Sequence, residues 1–441
     1  MRSHSVITGI GPISSLGVGP DAFWESLQSG SHAISPIESF DARGFRVRAA
    51  GEVRDFKIRD FVPKSYRKAT KVMARDTELA VIAAKAAADD AGLKTRGSED
   101  SDEGFEIQPA RVGCQIGAGL IAAETEELAR AVVTSQDDDG RFSMRKWGTE
   151  NEGESGMNNL PPLWLLKYLP NMLACHVTII HGLEGPSNTI MGAEASALLS
   201  IGESARVIER GSADMCFTGG AESRINPLGL IRWDYAGRLA PIDIDDNPAD
   251  ICKPYDSGSK GGLLGEAGGM LVIESESHAK NRGARAYARI TGFGAAQTPR
   301  PYIPGSSALR THDDIERGLS ASMTLAMREA NKRPEEIDAI FALGLGQPVL
   351  DGMELGAIRE ALGNPATIPP IVSLAHRTGN TMAAHAGLMT AAGALCLKNQ
   401  SLPASSVVYG DPTPRNPLRT VMICSPSLGG QSGALVLESC N

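Results

Sequence analysis

The sequence predicts an α/β protein made of two similar halves, and three observations support this fold class. Short apolar runs typical of strands alternate with longer amphipathic runs typical of helices. The pentapeptide ITGIG at residues 7–11 recurs as ITGFG at residues 290–294. With 441 residues, 42% of them hydrophobic, the chain is also too long for one ordinary domain unless two similar halves share a sheet system.

Each copy of the repeat is followed by the same order of elements. A helix is predicted over 76–91 in the first half and over 315–330 in the second, and each is followed by a strand that ends in glycines, over 111–120 and 337–346. Short glycine motifs recur by chance, so it is the matching order that favours duplication. The alternation predicts buried parallel or mixed sheets, with the halves at 1–275 and 276–441.

A strand-to-helix corner lies within the segment GPSNTIMGAEASALLSIGESARVIERG, residues 185–211. A brief strand over 189–191 meets the small residues 192–196, which open a helix with regularly spaced apolar positions. Many enzymes expose a nucleophile at such a corner. Here the corner carries the carboxylate of Glu194.

Charge and cysteine usage exclude several classes of function. A net charge of −9 disfavours a nucleic-acid partner and favours a soluble cytoplasmic protein. Seven cysteines without CxxC spacing argue against a disulfide framework and a zinc site, so neither metal nor cofactor is predicted. The N-terminal apolar run is too short for a signal peptide. The longest uncharged run, 378–397, contains Asn380 and His385, which predicts a buried helix and no membrane span.

Three segments stand apart from this pattern. Residues 98–106 are acidic and predict a surface loop, while 135–161 have no apolar period and predict a long excursion. This excursion is interpreted as either a partly mobile loop or an arm that faces a partner. The glycine-rich run 258–269 lacks the GK[ST] signature, which argues against a phosphate-binding loop.

Several motifs, in order along nearly the whole chain, resemble those of the β-ketoacyl-acyl carrier protein synthases, the elongating condensing enzymes of the thiolase fold. The motifs are VITGIGPISSLG, LPNMLA, GPSNTI, GGAES, KPYDSGSKGGLLGEAGG and LGGQSGALVLE. The resemblance implies a duplicated five-layer αβαβα architecture and a dimer.

The resemblance also implies which positions match the reacting groups of the family. The acyl-carrying cysteine matches Glu194, the two histidines that promote decarboxylation and stabilise the enolate match Leu343 and Asn380, and a lysine matches Ala375. Four channel positions are implied in the same way. The threonines that touch the pantetheine arm match Leu345 and Gln347, the gating phenylalanine matches Leu428, and an asparagine beyond it matches Ser432.

These departures predict that the chain does not condense by itself. A carboxylate cannot hold a growing chain as a thioester, and Leu343 offers no donor to an enolate oxygen. Asn380 donates a hydrogen bond but supplies no proton at neutral pH. Leucine at positions 343, 345 and 428 further predicts a narrower and drier channel.

Polar residues near these positions have competing interpretations. Glu194 is interpreted as a helix-capping carboxylate that fills an obsolete pocket; the alternatives are a catalytic acid or base and a partner for another subunit's cation. His376 and His385, which flank Asn380, are interpreted as satisfied structural histidines. Glu222 and Glu266 match acidic positions that hold loops in the family.

The same resemblance extends to chain-length factors, the β partners of type II polyketide ketosynthases, which keep the fold and lose the cysteine, usually to glutamine. It predicts a non-condensing subunit of fatty-acid or polyketide biosynthesis that pairs with an active ketosynthase through the strand near 188–191. Acyl carrier protein is a further candidate partner. Two alternatives remain open: an acyl-transferring or hydrolysing enzyme that uses Glu194 with His376 or His385, and a homodimer that binds an acyl chain or carrier protein.

Overall fold

The computed structural model describes residues 4–98, 108–148, 155–298, 313–413, 417–427 and 429–440. Beyond Ser98, the acidic loop predicted at 98–106 lies outside the described residues, as does Leu428.

The strands are β1 (Ser5–Ser14), β2 (Gly17–Val18), β3 (Ser35–Pro36), β4 (Ala49–Ala50), β5 (Val112–Gly117), β6 (Ser187–Ile190), β7 (Met215–Glu222), β8 (Ala267–Ser275), β9 (Ala288–Gln297), β10 (Ala339–Phe341), β11 (Ile371–Val372), β12 (Val407–Tyr409), β13 (Thr420–Pro426) and β14 (Gln431–Glu438). The helices are α1 (Pro20–Ser29), α2 (Arg75–Asp90), α3 (Thr125–Thr134), α4 (Met144–Trp147), α5 (Trp164–Lys167), α6 (Met172–His181), α7 (Ser196–Glu209), α8 (Pro227–Tyr235), α9 (Pro248–Ile251), α10 (Glu276–Asn281), α11 (Asp313–Ala330), α12 (Pro348–Ala361), α13 (Ala375–Thr378) and α14 (His385–Asn399).

The main sheet has the order β12-β11-β10-β13-β14-β9-β1-β8-β7-β5-β6, and a short antiparallel pair, β3-β4, stands apart from it. The pairing pattern is the same on both sides of the central β9-β1 pair. On one side β1, β8 and β7 pair antiparallel, and β5 and β6 follow parallel to β7. On the other side β9, β14 and β13 pair antiparallel, and β10 and β11 follow parallel to β13. This repetition is the duplicated α/β architecture that the resemblance implies.

Three large apolar cores separate the layers. The central core packs α7 and α14 between the two halves of the sheet. A second core packs α2 and α6 against the first half, and a third packs α11 and α12 against the second half. The layers therefore run helix, sheet, helix, sheet, helix. The corner at residues 192–196 begins α7, so it opens into the central layer.

Most of the predicted elements form where the periodicity places them. The repeat copies are β1 and β9, the predicted helices are α2 and α11, and the glycine-ended strands are β5 and β10. The division of the chain at 275/276 remains a prediction. In the uncharged run, the long helix begins at His385, and no helix in the described ranges combines the length and hydropathy that a membrane crossing requires.

The excursion at 135–161 has more local structure than its composition indicates. Its described parts contain α4 and the 3₁₀ turn Gly156–Asn159. The Asn159 side chain donates to Thr134 Oγ1 at 3.1 Å, and Ser155 Oγ donates to the Trp147 carbonyl at 2.7 Å. The Asn159 contact holds this segment against α3, and within the segment the Phe142 and Trp147 rings pack with their centroids 5.6 Å apart.

Candidate active site at the strand-to-helix corner

The corner holds a strained turn between β6 and α7. Glu194 lies on the 3₁₀ turn Ala193–Ala195, directly after Ala193, whose φ of 47° is in the left-handed region. A non-glycine residue in that region costs about 1–3 kcal/mol and persists only where its surroundings hold it there. Ser196 supplies such support, because its Oγ accepts from the Gly192 amide at 2.8 Å and donates to the Ala193 carbonyl at 2.7 Å.

The Glu194 carboxylate is buried against Asn380. Its side chain is only 1% exposed, and Asn380 Nδ2 donates to Glu194 Oε1 at 3.3 Å. Asn380 Oδ1 in turn accepts from the Met382 amide at 2.9 Å, which holds Met382 at a φ of 53°. The two residues, 186 positions apart in sequence, thus meet side chain to side chain.

Two carboxylates of α12 hold the loop that carries Leu343 and Leu345. Glu354 accepts from the amides of Leu343 and Gly344, each at 2.9 Å. Asp351 accepts from the amides of Leu345 and Gly346 at 3.0 and 2.9 Å. The backbone of this loop is therefore fixed by carboxylates, whatever side chains the loop carries.

These carboxyls keep their protons more tightly than usual. Burial raises the pKa of Glu354 to about 7 and that of Asp351 to about 6. Ala375 packs with Leu343 and Leu345 in a small apolar cluster beside them. The amides of Gly344 and Leu343 support the charged form of Glu354, and the Tyr255 hydroxyl adds to this by donating to Glu354 Oε2 at 2.9 Å.

A buried ion pair lies behind the corner. Arg224 bonds the Glu222 carboxylate, and Glu222 Oε2 accepts from the Ala383 amide at 2.9 Å. Burial raises the pKa of Glu222, and the nearby Glu194 raises it further. A side chain at Gly119 would collide with this carboxylate, so glycine is required there. Glu222 and Glu266 hold loops as predicted, since Glu266 accepts from the Val53 amide at 2.9 Å.

A small cavity of about 40 Å³ lies over Glu194. Its lining includes Leu343 and Leu345 from the predicted positions, and Arg238, Asp351 and Glu354. About 10–15 Å³ is enough for one water molecule, whereas small-molecule sites measure about 300–1,000 Å³. The cavity therefore has room for a few water molecules and not for a pantetheine arm.

The remaining predicted positions lie around this cavity or away from it. Gln347 Nε2 donates to the Arg238 carbonyl at 2.5 Å, and Arg238 Nη1 donates back to Gln347 Oε1 at 3.4 Å. Ser432 is buried on β14 and is not part of the lining. Leu428 lies outside the described residues. Sequence reasoning missed Arg238, because the segment GRLAP that contains it carries no motif.

The interpretation of His376 and His385 as structural histidines with satisfied hydrogen bonds is wrong for His385. His376 Nε2 contacts the Ser405 carbonyl at 3.2 Å, but among the described residues neither ring nitrogen of His385 has a hydrogen-bond partner. Burial lowers the pKa of both histidines to about 4, so both rings are neutral near pH 7. His385 is the first residue of α14 and lies among apolar side chains. Its ring is therefore packed, but its nitrogens lack hydrogen bonds within the described residues.

Within the described parts of the chain, no group of three or more histidine, cysteine, aspartate or glutamate side chains is arranged to hold a metal ion.

Comparison with known proteins finds one family over most of the chain. The family models "Beta-ketoacyl synthase, N-terminal domain" and "Beta-ketoacyl synthase, C-terminal domain" match residues 4–279 and 301–408. The 3-oxoacyl-[acyl-carrier-protein] synthase 2 of Coxiella burnetii is 31% identical over 453 residues, which cover 99% of each chain. The Staphylococcus aureus protein of the same name is 30% identical, over 92% of this chain and 91% of that protein.

Solved structures share the fold over the full length. The ishigamide ketosynthase/chain length factor aligns with a TM-score of 0.79 at 24% identity, covering 100% of both chains. A β-ketoacyl synthase from Burkholderia phymatum aligns with a TM-score of 0.75, also at 24% identity and complete coverage of both chains.

Proposed function

Since the chain belongs to the β-ketoacyl synthase family, we propose that it is a chain-length-factor-like subunit that pairs with an active ketosynthase in fatty-acid or polyketide biosynthesis and does not itself condense. The observation that carries this proposal is the buried corner. Glu194, which the resemblance matches to the family's cysteine, is bonded to Asn380 beneath a cavity of only about 40 Å³.

The groups around the corner do not supply the missing chemistry. Leu343 and Ala375 pack together where a histidine and a lysine are expected, so neither an enolate nor a leaving carboxylate finds a donor there. Asn380 already donates its amide to Glu194. Asp351 and Glu354 hold the backbone of the loop, but the side chains at the positions matched to reacting groups are apolar.

A nearby cysteine does not replace the thiolate. Cys252 lies close to the loop, and its Sγ contacts the Leu345 carbonyl at 3.4 Å. Burial raises the pKa of this thiol to about 12, so it stays protonated near pH 7. The nucleophile in this family is the thiolate, and a buried neutral thiol is inert.

An unpaired strand edge supports pairing with another subunit. In the described sheet β6 ends the strand order, with β5 on one side and no strand on the other. Such an edge is a template for pairing with another chain. Exposed large apolar side chains concentrate between residues 120 and 191: Leu120, Val133, Phe142, Met144, Met157, Leu163, Leu165, Ile179 and Met191. Contiguous exposed apolar surface typically marks an interface, and Met191 of this set directly follows β6 at the unpaired edge.

A basic surface segment, residues 57–71, supports contact with an acidic carrier protein. Its six cations are exposed, and none of them has an ion-pair partner in the described structure: Lys57, Arg59, Lys64, Arg67, Lys68 and Lys71. With Asp60 as its only acid, the segment has a net charge of +5 in a chain of net charge −9. Unpaired charge of one sign attracts an oppositely charged partner and speeds its binding.

The structural relative described as a ketosynthase/chain length factor supports the same proposal at the level of the fold. Another relative of TM-score 0.78 is described as a type II polyketide acyl-carrier protein in complex with its ketosynthase. Both are compatible with a subunit that meets a ketosynthase and a carrier protein.

The test is to express the chain alone and with a ketosynthase that retains its cysteine and is encoded by a neighbouring gene. Size-exclusion chromatography with light scattering should show a dimer, and a heterodimer when the partner is present. With malonyl- and acyl-carrier protein, the chain alone should release no carbon dioxide and acquire no acyl mass.

Met191→Lys tests the interface, and Val349→Lys is its matched control. The two side chains are 53% and 52% exposed, but Val349 lies on α12 in the outer layer of the second half. Only the Met191 variant should weaken pairing. A stable monomer, or an acyl adduct on Glu194, would contradict the proposal; a homodimer that rejects every neighbouring ketosynthase would favour the acyl-binding alternative.

A further inference from the structure

A second cavity, of about 550 Å³, opens at the N-terminal end of α2. Its volume is within the range of small-molecule sites, about 300–1,000 Å³. Its lining includes Phe40, Phe56, Asp76, Glu124 and Asn226. None of these residues carries a role in the proposed function.

Asp76 is a buried carboxyl that opens into this cavity. It is 3% exposed, and its Oδ1 accepts from the Ser223 amide at 3.2 Å. Apart from the backbone of Asp76 itself, no group in the described structure donates a hydrogen bond to Asp76 Oδ2. Burial and the nearby Glu222 raise its pKa to about 7, and Arg224 only partly opposes this. A buried carboxylate with so little compensation is stabilised by any cation that reaches it.

The other charges of the lining leave the cavity negative. Arg54 pairs with Glu38 and Glu52, and Arg75 pairs with Glu266, so the two arginines are already neutralised. Glu124 is half-buried, and its carboxylate has no hydrogen-bond donor in the described structure. Burial raises the pKa of Glu124, and Lys167 and Arg75 offset only part of this effect. A concave surface with low-dielectric walls concentrates such partly compensated charge.

Aromatic walls complete the site. Phe40 and Phe56 both line the cavity, which gives an apolar face of the kind that covers the body of a ligand. The Arg75 guanidinium already lies 4.5 Å from the centre of the Phe56 ring. Because Arg75 already lies over Phe56, the two rings offer a ligand apolar surface and not a second cation site.

We propose that this cavity binds a small organic cation, with a primary ammonium or guanidinium group between Asp76 and Glu124 and an aliphatic body against the two phenylalanines. The site is separate from the corner at Glu194, and the proposal does not depend on the pairing with a ketosynthase.

Isothermal titration calorimetry on the full chain tests this with 1,4-diaminobutane and agmatine as probes. One saturable site is expected for each. Asp76→Asn and Glu124→Gln remove one charge each at nearly constant shape, and each should weaken binding about tenfold or more. Glu126→Gln is the matched control, because Glu126 is an exposed carboxylate two positions along that does not line the cavity. It should bind like the wild type.

Two control compounds, the neutral analogue 1,4-butanediol and Mg²⁺, distinguish binding at a specific site from non-specific electrostatic attraction. Butanediol should not bind, and Mg²⁺ should not compete at concentrations comparable to the amines. The proposal would be overturned by an absence of amine binding, by wild-type affinity in both cavity variants, or by Mg²⁺ competing as strongly as the amines. Should Asp76→Asn fail to fold, Glu124→Gln decides alone, with its melting temperature as the check on folding.

Discussion

Arg377 anchors the segment that carries Asn380, and its removal is expected to destabilise the protein. The side chain is completely buried, and its guanidinium makes five hydrogen bonds, with no carboxylate among its partners in the described part of the chain. It donates to the carbonyls of Ser26, Leu27 and Ser31 and to the hydroxyl of Ser406, at 2.6–3.2 Å. Burial lowers its pKa to about 10, so it stays charged near pH 7. The cation therefore lies at the C-terminal end of α1, where the helix dipole favours it.

Arg377→Met removes all five donors. Two of the abandoned acceptors, the Leu27 carbonyl and the Ser406 hydroxyl, belong to buried residues, and the Ser26 carbonyl belongs to a half-buried one. Each unsatisfied buried acceptor costs about 1–3 kcal/mol. Removal of the buried charge also removes its desolvation cost, which offsets part of this loss, so the free energy of unfolding should fall by about 3 kcal/mol. Arg377→Lys keeps the charge but has three donors at one point, and should cost about 2 kcal/mol.

Denaturant unfolding followed by tryptophan fluorescence measures the change, since Trp24 lies on α1 itself. Arg210→Met is the control, because Arg210 makes one exposed ion pair with Glu203 at 3.0 Å and should cost less than about 1 kcal/mol. Hydrogen exchange should also speed up at the amide of Ala33, which donates to the Arg377 carbonyl. A Met variant as stable as the Arg210 control, with unchanged exchange, would refute this reasoning.

Further predictions concern the site and its surface. Tyr255→Phe removes one of the three donors that support ionised Glu354. A raised carboxyl pKa destabilises the fold as pH rises from the ordinary carboxyl pKa through about 7, so the variant should lose more stability at about pH 8 than at about pH 5.5, measured by denaturant midpoints. An equal loss at both values would contradict this linkage. Glu194→Cys should not restore condensation with malonyl-carrier protein, since Leu343 and Asn380 remain; turnover in that variant would show that the thiol alone was missing. Lys68→Glu should weaken carrier-protein binding, mostly at low salt, and an unchanged dissociation constant would exclude the basic segment.

The sequence was most informative where it repeats or keeps a motif. Periodicity placed α2, α11, β5 and β10, and the motifs identified the family that the comparisons confirm. The sequence was least informative in the excursion at 135–161, because the polar contacts near α4 produce no regular spacing of apolar residues. The prediction that His385 has satisfied hydrogen bonds was wrong for a related reason. A sequence shows that a histidine is present but not whether a hydrogen-bond partner reaches its ring.

The sequence by itself determined the chemistry present at each position: a carboxylate at the corner, leucine at 343 and 345, and six cations with a single acid from 57 to 71. Only the tertiary structure decided how much space these residues leave and which of them meet. The contact between Glu194 and Asn380, the closure of the loop onto Asp351 and Glu354, and the cavity that Asp76 shares with Glu124 all join different segments of the chain. Such contacts depend on packing between layers and on the direction of individual amides and carboxylates, neither of which a local pattern of residue types encodes.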